Sequence, residues 1–182
     1  MIDDSNDKII LYGLRRLYLL LIDSLVIMVC SFFLGNLWAG LLFNIAYSLL
    51  RVYAGGYHAS TQKKCFILSY SSIFLCLLYI FFCPVSYLIL HNLCLVLCIS
   101  IAVFSPVEHK NKPLYEAERK AYRKRSHFFL TVDTCIYLYF VWTHSILFAK
   151  AVSASLFLVA FGQWVALLQK SKKEASGLQS NI

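Results

Sequence analysis

The sequence predicts an all-α, polytopic membrane protein with six transmembrane helices. Of the 182 residues, 60% are hydrophobic and only 14% are charged, whereas about a quarter of the residues in a soluble domain carry charge. The mean hydropathy is +0.68. Apolar stretches of about 20 residues, the length that crosses a bilayer, alternate with basic segments. We therefore expect a single integral-membrane domain over residues 1–182.

Six apolar segments are assigned as membrane spans by their length. Their predicted bounds are 17–35, 36–54, 65–83, 85–104, 128–148 and 151–169. The first two would be too long for one span if they were fused, so Gly35-Asn36 is predicted to form the turn between them. Pro84 marks the turn between the third and fourth spans. The polar window of residues 51–65 predicts a broken or re-entrant segment.

Lysine and arginine occur in alternate connections, which predicts the orientation in the membrane. They lie before the first span, between the second and third, between the fourth and fifth, and after the sixth. These residues are Lys8, Arg15, Arg16, Arg51, Lys63, Lys64, the run from Lys110 to Arg125, Lys170, Lys172 and Lys173. Both termini and the 51–65 window are thus expected on the cytoplasmic side. The acidic start MIDDSNDK and the absence of a small-residue cleavage site argue against a cleaved signal peptide.

The net charge of +8 could suggest nucleic acid as a partner. Cytoplasmic loops of membrane proteins collect lysine and arginine, however, and such loops lie against anionic lipid headgroups. The sequence also contains no soluble recognition module. We therefore expect the lipid bilayer, and not nucleic acid, as the partner of these charges.

Six of the seven cysteines lie in or at the ends of apolar spans, where cysteine behaves as a small hydrophobic residue. They are Cys30, Cys76, Cys83, Cys94, Cys98 and Cys135. Cys94 and Cys98 share a helix face, but His91 is the only further ligand type beside them in sequence. No metal and no cofactor is predicted.

Cys65 differs from the other cysteines because it follows Lys63-Lys64 at a span entrance. Neighbouring positive charge, and the amino-terminal dipole if a helix begins there, would stabilise a thiolate. His58 is the nearest candidate base, but seven residues of continuous helix would separate the two by roughly 10.5 Å of rise. A catalytic pair therefore requires a bend, for which Gly55-Gly56 is suited. The alternative is an ordinary loop with an interfacial histidine.

Three further ionisable residues are candidates for the site. Arg51 is either a snorkelling anchor or a clamp on a substrate carboxylate or on the chain near the site. Asp23 and Asp133 lie inside apolar segments, where ionisable residues are functional candidates. Either could orient His58 as a third catalytic member. Asp133 could instead bind a threonine, tyrosine or backbone partner, since Thr131 and Thr134 are close to it in sequence.

The window also carries a resemblance to a known family. The run Arg51-x-Tyr53-Ala54-Gly55-Gly56-Tyr57-His58-Ala59 followed by Cys65 resembles the signature of the AgrB family, membrane cysteine endopeptidases of bacterial quorum sensing. Tyr12-Gly13, the six apolar segments, Ser105-Pro106 and the run Asn111-Lys112-Pro113-Leu114 are similar to that family as well. The resemblance covers most of the chain.

The resemblance implies a substrate, a reaction and a place in the cell. The substrate is an AgrD-like propeptide with an acidic C-terminal tail, which the family removes while promoting thiolactone or lactone ring closure. Cys65 is then the nucleophile and His58 the general base, with Gly55 and Gly56 shaping the site beside Arg51. The resemblance further implies a homodimer in the bacterial cell membrane.

The basic connection from Lys110 to Arg125 is interpreted as a loop on the cytoplasmic face, where it would attract the acidic tail. The candidate binding residues are Arg119, Lys120, Arg123, Lys124 and Arg125. Two alternatives to the enzyme remain open. A small peptide transporter or exporter should tolerate loss of the Cys65 thiol, and a non-catalytic membrane scaffold should need neither Cys65 nor His58.

Overall fold

The protein is a bundle of α-helices in a computed structural model that describes residues 4–57, 62–107 and 115–179. These residues contain six helices and no β-strand of a sheet. The helices are α1 (Asp4–Phe33), α2 (Leu37–Ala54), α3 (Gln62–Phe82), α4 (Tyr87–Phe104), α5 (Glu116–Trp142) and α6 (Ile146–Gln179). The predicted all-α class is confirmed.

The predicted turns at Gly35-Asn36 and Pro84 are confirmed. Gly35 has a φ of +94°, a left-handed conformation that glycine adopts at little cost. The Asn36 side chain then accepts a hydrogen bond of 3.0 Å from the backbone N–H of Ala39, which caps α2. Pro84 lies in the connection between α3 and α4, where its missing N–H costs no helical hydrogen bond.

Three helices have segments long and apolar enough to cross a membrane, judged by length and composition. These segments are Leu37–Ala54, Tyr87–Phe104 and Ile146–Ser171. Shorter apolar segments, Leu17–Phe33 and Phe66–Phe82, lie in α1 and α3. The prediction of six membrane crossings is thus supported in part, and the full number of crossings stays a prediction.

The interpretation of the whole basic connection as a loop is wrong. Helix α5 begins at Glu116, well before the predicted span at residue 128. Residues 116–125 therefore form helical turns that continue directly into the apolar part of α5, while residues 108–114 lie outside the described ranges. Apolar periodicity located the span but could not locate the start of the helix, because these polar turns carry no hydrophobic stripe.

Helix α6 lies at the centre of the bundle and packs against α2, α3, α4 and α5. Its buried face is rich in small side chains, which let neighbouring helix backbones approach closely. These are Ala149, Ala151, Ser153, Ala154, Ser155 and Ala160. One cluster of buried apolar residues joins α6 to α2, α4 and α5, and a second joins it to α1, α2 and α3.

Hydrogen bonds from polar side chains link the apolar helices. The Trp164 Nε1–H of α6 donates to the Ser100 hydroxyl of α4 at 2.7 Å. Lys150 of α6 donates to the backbone carbonyl of Cys83 at 3.1 Å, beyond the last turn of α3. Polar atoms in a lipid-facing protein need such internal partners because hydrocarbon offers none. The two bonds therefore fix α6 to the end of α3 near its first turns and to α4 farther along.

The contact between α1 and α2 depends on Gly40. A Cβ atom built at Gly40 would overlap the Ser31 side chain of α1, so the two helices approach at a distance only glycine allows. We predict that Gly40→Val lowers the stability of the protein by about 1–3 kcal/mol, the usual cost of overpacking. The thermal midpoint of the detergent-solubilised protein measures it.

Gly13→Val is the matched control, since a Cβ atom at Gly13 meets no neighbouring atom within 4 Å. An equal loss of thermal stability in both variants would mean that the helix propensity of the new residue, and not the α1–α2 contact, sets the effect.

Candidate active site

Helix α2 ends at Ala54, inside the polar window of residues 51–65. Gly55 and Gly56 follow the last helical residue, Ala54, with φ angles of +73° and +135°. Both angles lie in the region that residues with a Cβ rarely adopt. A Cβ atom at Gly55 would overlap the Val107 carbonyl, and one at Gly56 would overlap the Arg51 guanidinium. The two glycines are thus required by conformation and by close packing.

Arg51 holds the residues that follow α2. Its Nη1 donates to the Gly55 carbonyl, and its Nη2 donates to the Tyr57 carbonyl at 2.8 Å. A charged donor gives shorter and stronger hydrogen bonds than a neutral one. The sequence allowed two interpretations of Arg51, a snorkelling anchor or a clamp. Its hydrogen bonds to the backbone agree with a clamp on the chain near the site. A further role in substrate binding stays a prediction.

Helix α6 binds the same residues from the opposite side. The Tyr57 N–H donates to the Gly162 carbonyl at 2.8 Å. The Gln163 Nε2 donates to the Ala54 carbonyl at 3.1 Å and to the Ser105 hydroxyl at 2.9 Å. Gln163 is fully buried, so these hydrogen bonds are shielded from water. Irregular backbone at this depth is tolerated because protein groups satisfy it.

A third contact comes from the chain after α4. The Val107 N–H donates to the Ala54 carbonyl at 3.0 Å, and Val107 forms an isolated parallel β-bridge with Gly55. The Ala54 carbonyl therefore accepts from both Val107 and Gln163. Three separate parts of the chain, α2, α6 and the residues after α4, thus fix residues 54–57 in one position.

Both members of the candidate catalytic pair follow this fixed segment in sequence. Helix α3 begins at Gln62, so Cys65 is the fourth residue of a helix and lies where the amino-terminal dipole favours a thiolate. His58 and the side chain of Cys65 lie outside the described parts of the structure. The prediction that residues 51–65 do not form one continuous helix is confirmed, because α2 ends at Ala54.

The two candidate third members lie in different places. Asp23 is half-buried on α1, with the Tyr70 hydroxyl of α3 within hydrogen-bonding reach of its carboxylate. Asp133 is buried on α5 near Cys98 of α4. Its Oδ2 has no hydrogen-bond partner among the described residues. A role for either carboxylate beside His58 stays a prediction.

The two threonines beside Asp133 in sequence do not donate their hydroxyl protons to it, and a threonine, tyrosine or backbone partner for Asp133 stays a prediction. The Thr131 hydroxyl donates to the His127 carbonyl at 2.9 Å, and the Thr134 hydroxyl donates to the Leu130 carbonyl at 2.7 Å. Both bonds run back to the carbonyl four residues earlier, a common partner for helical threonine.

The basic turns of α5 adjoin the window through aromatic contacts. The Tyr53 ring, two residues before Gly55, stacks on Phe129 with ring centroids 5.3 Å apart. Tyr122 meets Tyr53 edge to face, and the Arg125 guanidinium lies over the Tyr53 ring, 5.6 Å from its centroid. The segment containing Arg119, Lys120, Arg123, Lys124 and Arg125 is thus anchored beside the last turn of α2.

The described residues offer one small cavity at this place and no cluster suited to a metal. Within 4–57, 62–107 and 115–179, His, Cys, Asp and Glu side chains form no group of three or more that could hold a metal ion. The cavity, about 50 Å³, lies between α2, α3 and α6 and is bordered by Arg51 and Tyr57. It borders the window and has room for part of a ligand.

The family profile described as Accessory gene regulator B matches residues 1–165, which include the entire window and most of the helical bundle. The chain belongs to the AgrB family. No curated protein and no solved structure gave a significant match. Together with its apolar helices, membership of the AgrB family makes this chain a membrane protein of the quorum-sensing accessory gene regulator system.

The sequence analysis missed two residues that position the window of this AgrB protein. Gly162 and Gln163 lie on α6, more than 100 residues after Gly55 in sequence, and both bind the backbone of residues 54–57. Gln163 had a detectable signal, because a polar side chain inside an apolar span usually has an internal partner. Which partner it has depends on the packing of α6 against α2, and no local pattern reveals that.

Gln163 provides a direct test of how the window is held. We predict that Gln163→Leu speeds amide hydrogen exchange in residues 54–57 and 105–107, because the Ser105 hydroxyl and the Ala54 carbonyl each lose a buried partner. Such a loss costs about 1–3 kcal/mol, or roughly a 5- to 150-fold increase in local opening. Hydrogen-exchange mass spectrometry in detergent measures the two segments.

Gln169→Leu is the control, since Gln169 is exposed on the same helix. If exchange in the two segments rises equally in both variants, the leucine has loosened α6 as a whole and Gln163 does not hold the window.

Proposed function

We propose that this AgrB protein is a membrane-embedded cysteine endopeptidase. It cleaves the C-terminal tail from an AgrD-like propeptide and promotes closure of a thiolactone or lactone ring. The observation that carries the proposal is the fixed segment 54–57. It ends one residue before His58 and is held by Arg51 and α6. A general base must be held at a fixed position relative to the group that it deprotonates, and a fixed backbone segment next to His58 supports that.

The chemistry begins at Cys65. Its thiolate attacks the carbonyl that joins the signal segment to the tail, after His58 has accepted the thiol proton. His58 then gives that proton to the leaving amine, and the acyl group remains on Cys65 as a thioester. The position of Cys65 at the amino-terminal end of α3 supports this assignment, because the helix dipole favours the anionic form of the nucleophile.

Ring closure follows from the same intermediate. A thiol or hydroxyl within the bound peptide attacks the thioester carbonyl while His58 accepts its proton, and Cys65 leaves as a thiolate. Exchange of one thioester for another changes the free energy little, whereas hydrolysis is strongly downhill, so water must be kept from the intermediate. A site between packed helices, below the cytoplasmic surface of the membrane, suits that requirement.

The remaining groups act on binding and orientation. Arg51 has donors beyond the two hydrogen bonds to carbonyls, and these can contact the peptide near the cleaved bond. Asp23 or Asp133 would orient His58 as a third member. We further propose six crossings with both termini and the site on the cytoplasmic side, a single peptidase domain, and a homodimer as the working form.

Removal of the thiol tests the catalytic assignment. We expect Cys65→Ala to lower tail removal by at least roughly a thousandfold, as loss of a covalent nucleophile does, while membrane insertion is retained. His58→Ala should have a similar effect. Purified protein, a synthetic propeptide and mass spectrometry of the released tail measure the rate. The same spectra of the parent protein should reveal an acyl adduct on Cys65.

Cys135→Ala is the matched control, because Cys135 is an exposed thiol on α5. Cleavage at the parental rate by Cys65→Ser or Cys65→Ala would favour a transporter or exporter. A scaffold would tolerate loss of both Cys65 and His58.

Charge attraction between the basic turns of α5 and the acidic tail supplies a second test. We expect the combined variant Lys120→Gln, Arg123→Gln and Lys124→Gln to raise the KM for the propeptide while leaving kcat nearly unchanged. The loss should shrink as salt rises, because exposed charges are screened beyond a Debye length of about 8 Å at physiological ionic strength. Cleavage in detergent at several salt concentrations measures both constants.

The design retains Arg125, which packs on Tyr53, so that the aromatic contact is undisturbed. Lys170→Gln, at an exposed position on α6, controls for net charge. A propeptide with a neutral tail should lose no affinity in the combined variant. If it loses as much as the acidic one, these charges act on orientation in the membrane and not on the tail.

A further inference from the structure

The cavity between α2, α3 and α6 borders the fixed window. Arg51 and Tyr57 form part of its lining, and the Arg51 side chain donates a hydrogen bond to the Tyr57 carbonyl. Gly162, which accepts the hydrogen bond from the Tyr57 N–H, forms another part. The same contacts that fix residues 54–57 thus also define one side of the cavity, and the two features cannot shift independently.

Helix register places the cavity on the face of α3 that carries Cys65. Leu68, Ser69 and Ser72 line it, and they follow Cys65 by three, four and seven residues. Positions at this spacing share one face of an α-helix. At a rise of 1.5 Å per residue, the cavity therefore runs from roughly 5 to 10 Å beyond the Cys65 backbone, toward the apolar middle of the helix.

The far wall of the cavity is apolar. Leu158, Phe161 and Val165 of α6 form it, while Tyr47, Arg51, Ser69 and Ser72 supply polar parts of the remaining lining. A cavity of about 50 Å³ has room for the end of one aliphatic side chain, which would pack on the apolar wall. Phe161 lines the cavity and is itself exposed, so a ring too large for this volume would have to displace it or another lining side chain.

We propose that this cavity is the specificity pocket for the side chain of the residue on the acyl side of the cleaved bond, and that it selects an aliphatic residue. The inference rests on the proposed function. The acyl part of the substrate stays attached to Cys65 through both chemical steps, whereas the acidic tail leaves toward the basic turns of α5. A pocket that continues along the helix face of Cys65 into apolar surroundings suits the part that stays.

The pocket also serves the second step of the reaction. A side chain seated in it fixes the thioester carbonyl relative to the attacking group and displaces water from the space beside Cys65. Each methylene that fits or is missing in such a pocket changes kcat/KM by roughly 10- to 200-fold. The identity of this one residue therefore decides both how fast a peptide is cleaved and how often its thioester is lost to hydrolysis.

The test measures kcat/KM for propeptides that differ only in the residue before the cleaved bond: Ala, Leu, Phe or Asp. The parent protein should prefer Leu, whereas a preference for Asp would mean that Arg51 and not the apolar wall selects this residue and would overturn aliphatic selection. Leu158→Ala enlarges the pocket and should raise the Phe-to-Leu ratio of kcat/KM at least tenfold. Ser72→Leu fills it and should raise the Ala-to-Leu ratio by a similar factor. Ratios are used because they do not depend on the folded fraction of a variant.

Leu156→Ala is the matched control, since Leu156 is buried on the same helix but does not line the pocket. It should lower all rates together and leave the ratios unchanged. Unchanged ratios in both pocket variants, with cleavage still dependent on Cys65, would overturn the pocket alone. So would a change in preference for the residue after the bond. Absence of Cys65-dependent cleavage in the parent protein would overturn the proposed function and the pocket together.

Discussion

The hydrogen bonds from Arg51 to the carbonyls of Gly55 and Tyr57 are the interaction on which the candidate site depends. Leaving the helix after Ala54 frees backbone groups that hydrocarbon cannot satisfy, and each such group costs several kcal/mol if it is left alone. Arg51 removes this penalty from within the same helix, one turn before the break. The positive charge is stabilised in turn by the carbonyl dipoles, so the hydrogen bonds to backbone carbonyls hold the bend and the arginine together.

Helix α6 makes that bend possible by coming close. Its small buried side chains let α2 approach until the Gly162 carbonyl reaches the Tyr57 N–H and Gln163 reaches the Ala54 carbonyl. A larger side chain at position 162 would crowd the Arg51 guanidinium, since even a Cβ atom there would lie 3.1 Å from Nη1. The packing of α6 against α2 and the conformation of residues 54–57 therefore depend on each other, because both involve the backbone of Ala54, Tyr57 and Gly162.

The sequence predicted much of this arrangement because its signals are local. Gly35-Asn36 and Pro84 act on their own backbone, so both turns were predicted correctly. The Gly55-Gly56 pair likewise predicted the break after α2. The contacts of Gln163 depend on two helices more than 100 residues apart, and no local pattern records them. The start of α5 at Glu116 was missed for another reason, since its first turns are polar on all sides. The pairing of His58 with Cys65 remains a prediction from spacing and resemblance.

Helix α5 runs without interruption from Glu116 to Trp142, so its basic turns and its apolar turns form one stiff rod. The rod touches the end of α2 where Arg125 and Phe129 both pack on the ring of Tyr53. A force applied to the charged end is therefore transmitted to the residues that carry the bend. If the basic turns bind the acidic tail as proposed, thermodynamic reciprocity requires the converse, so a rearrangement of the bend on substrate entry changes how tightly these turns bind the tail. Recognition of the tail and the geometry of the bend are then coupled through one continuous helix.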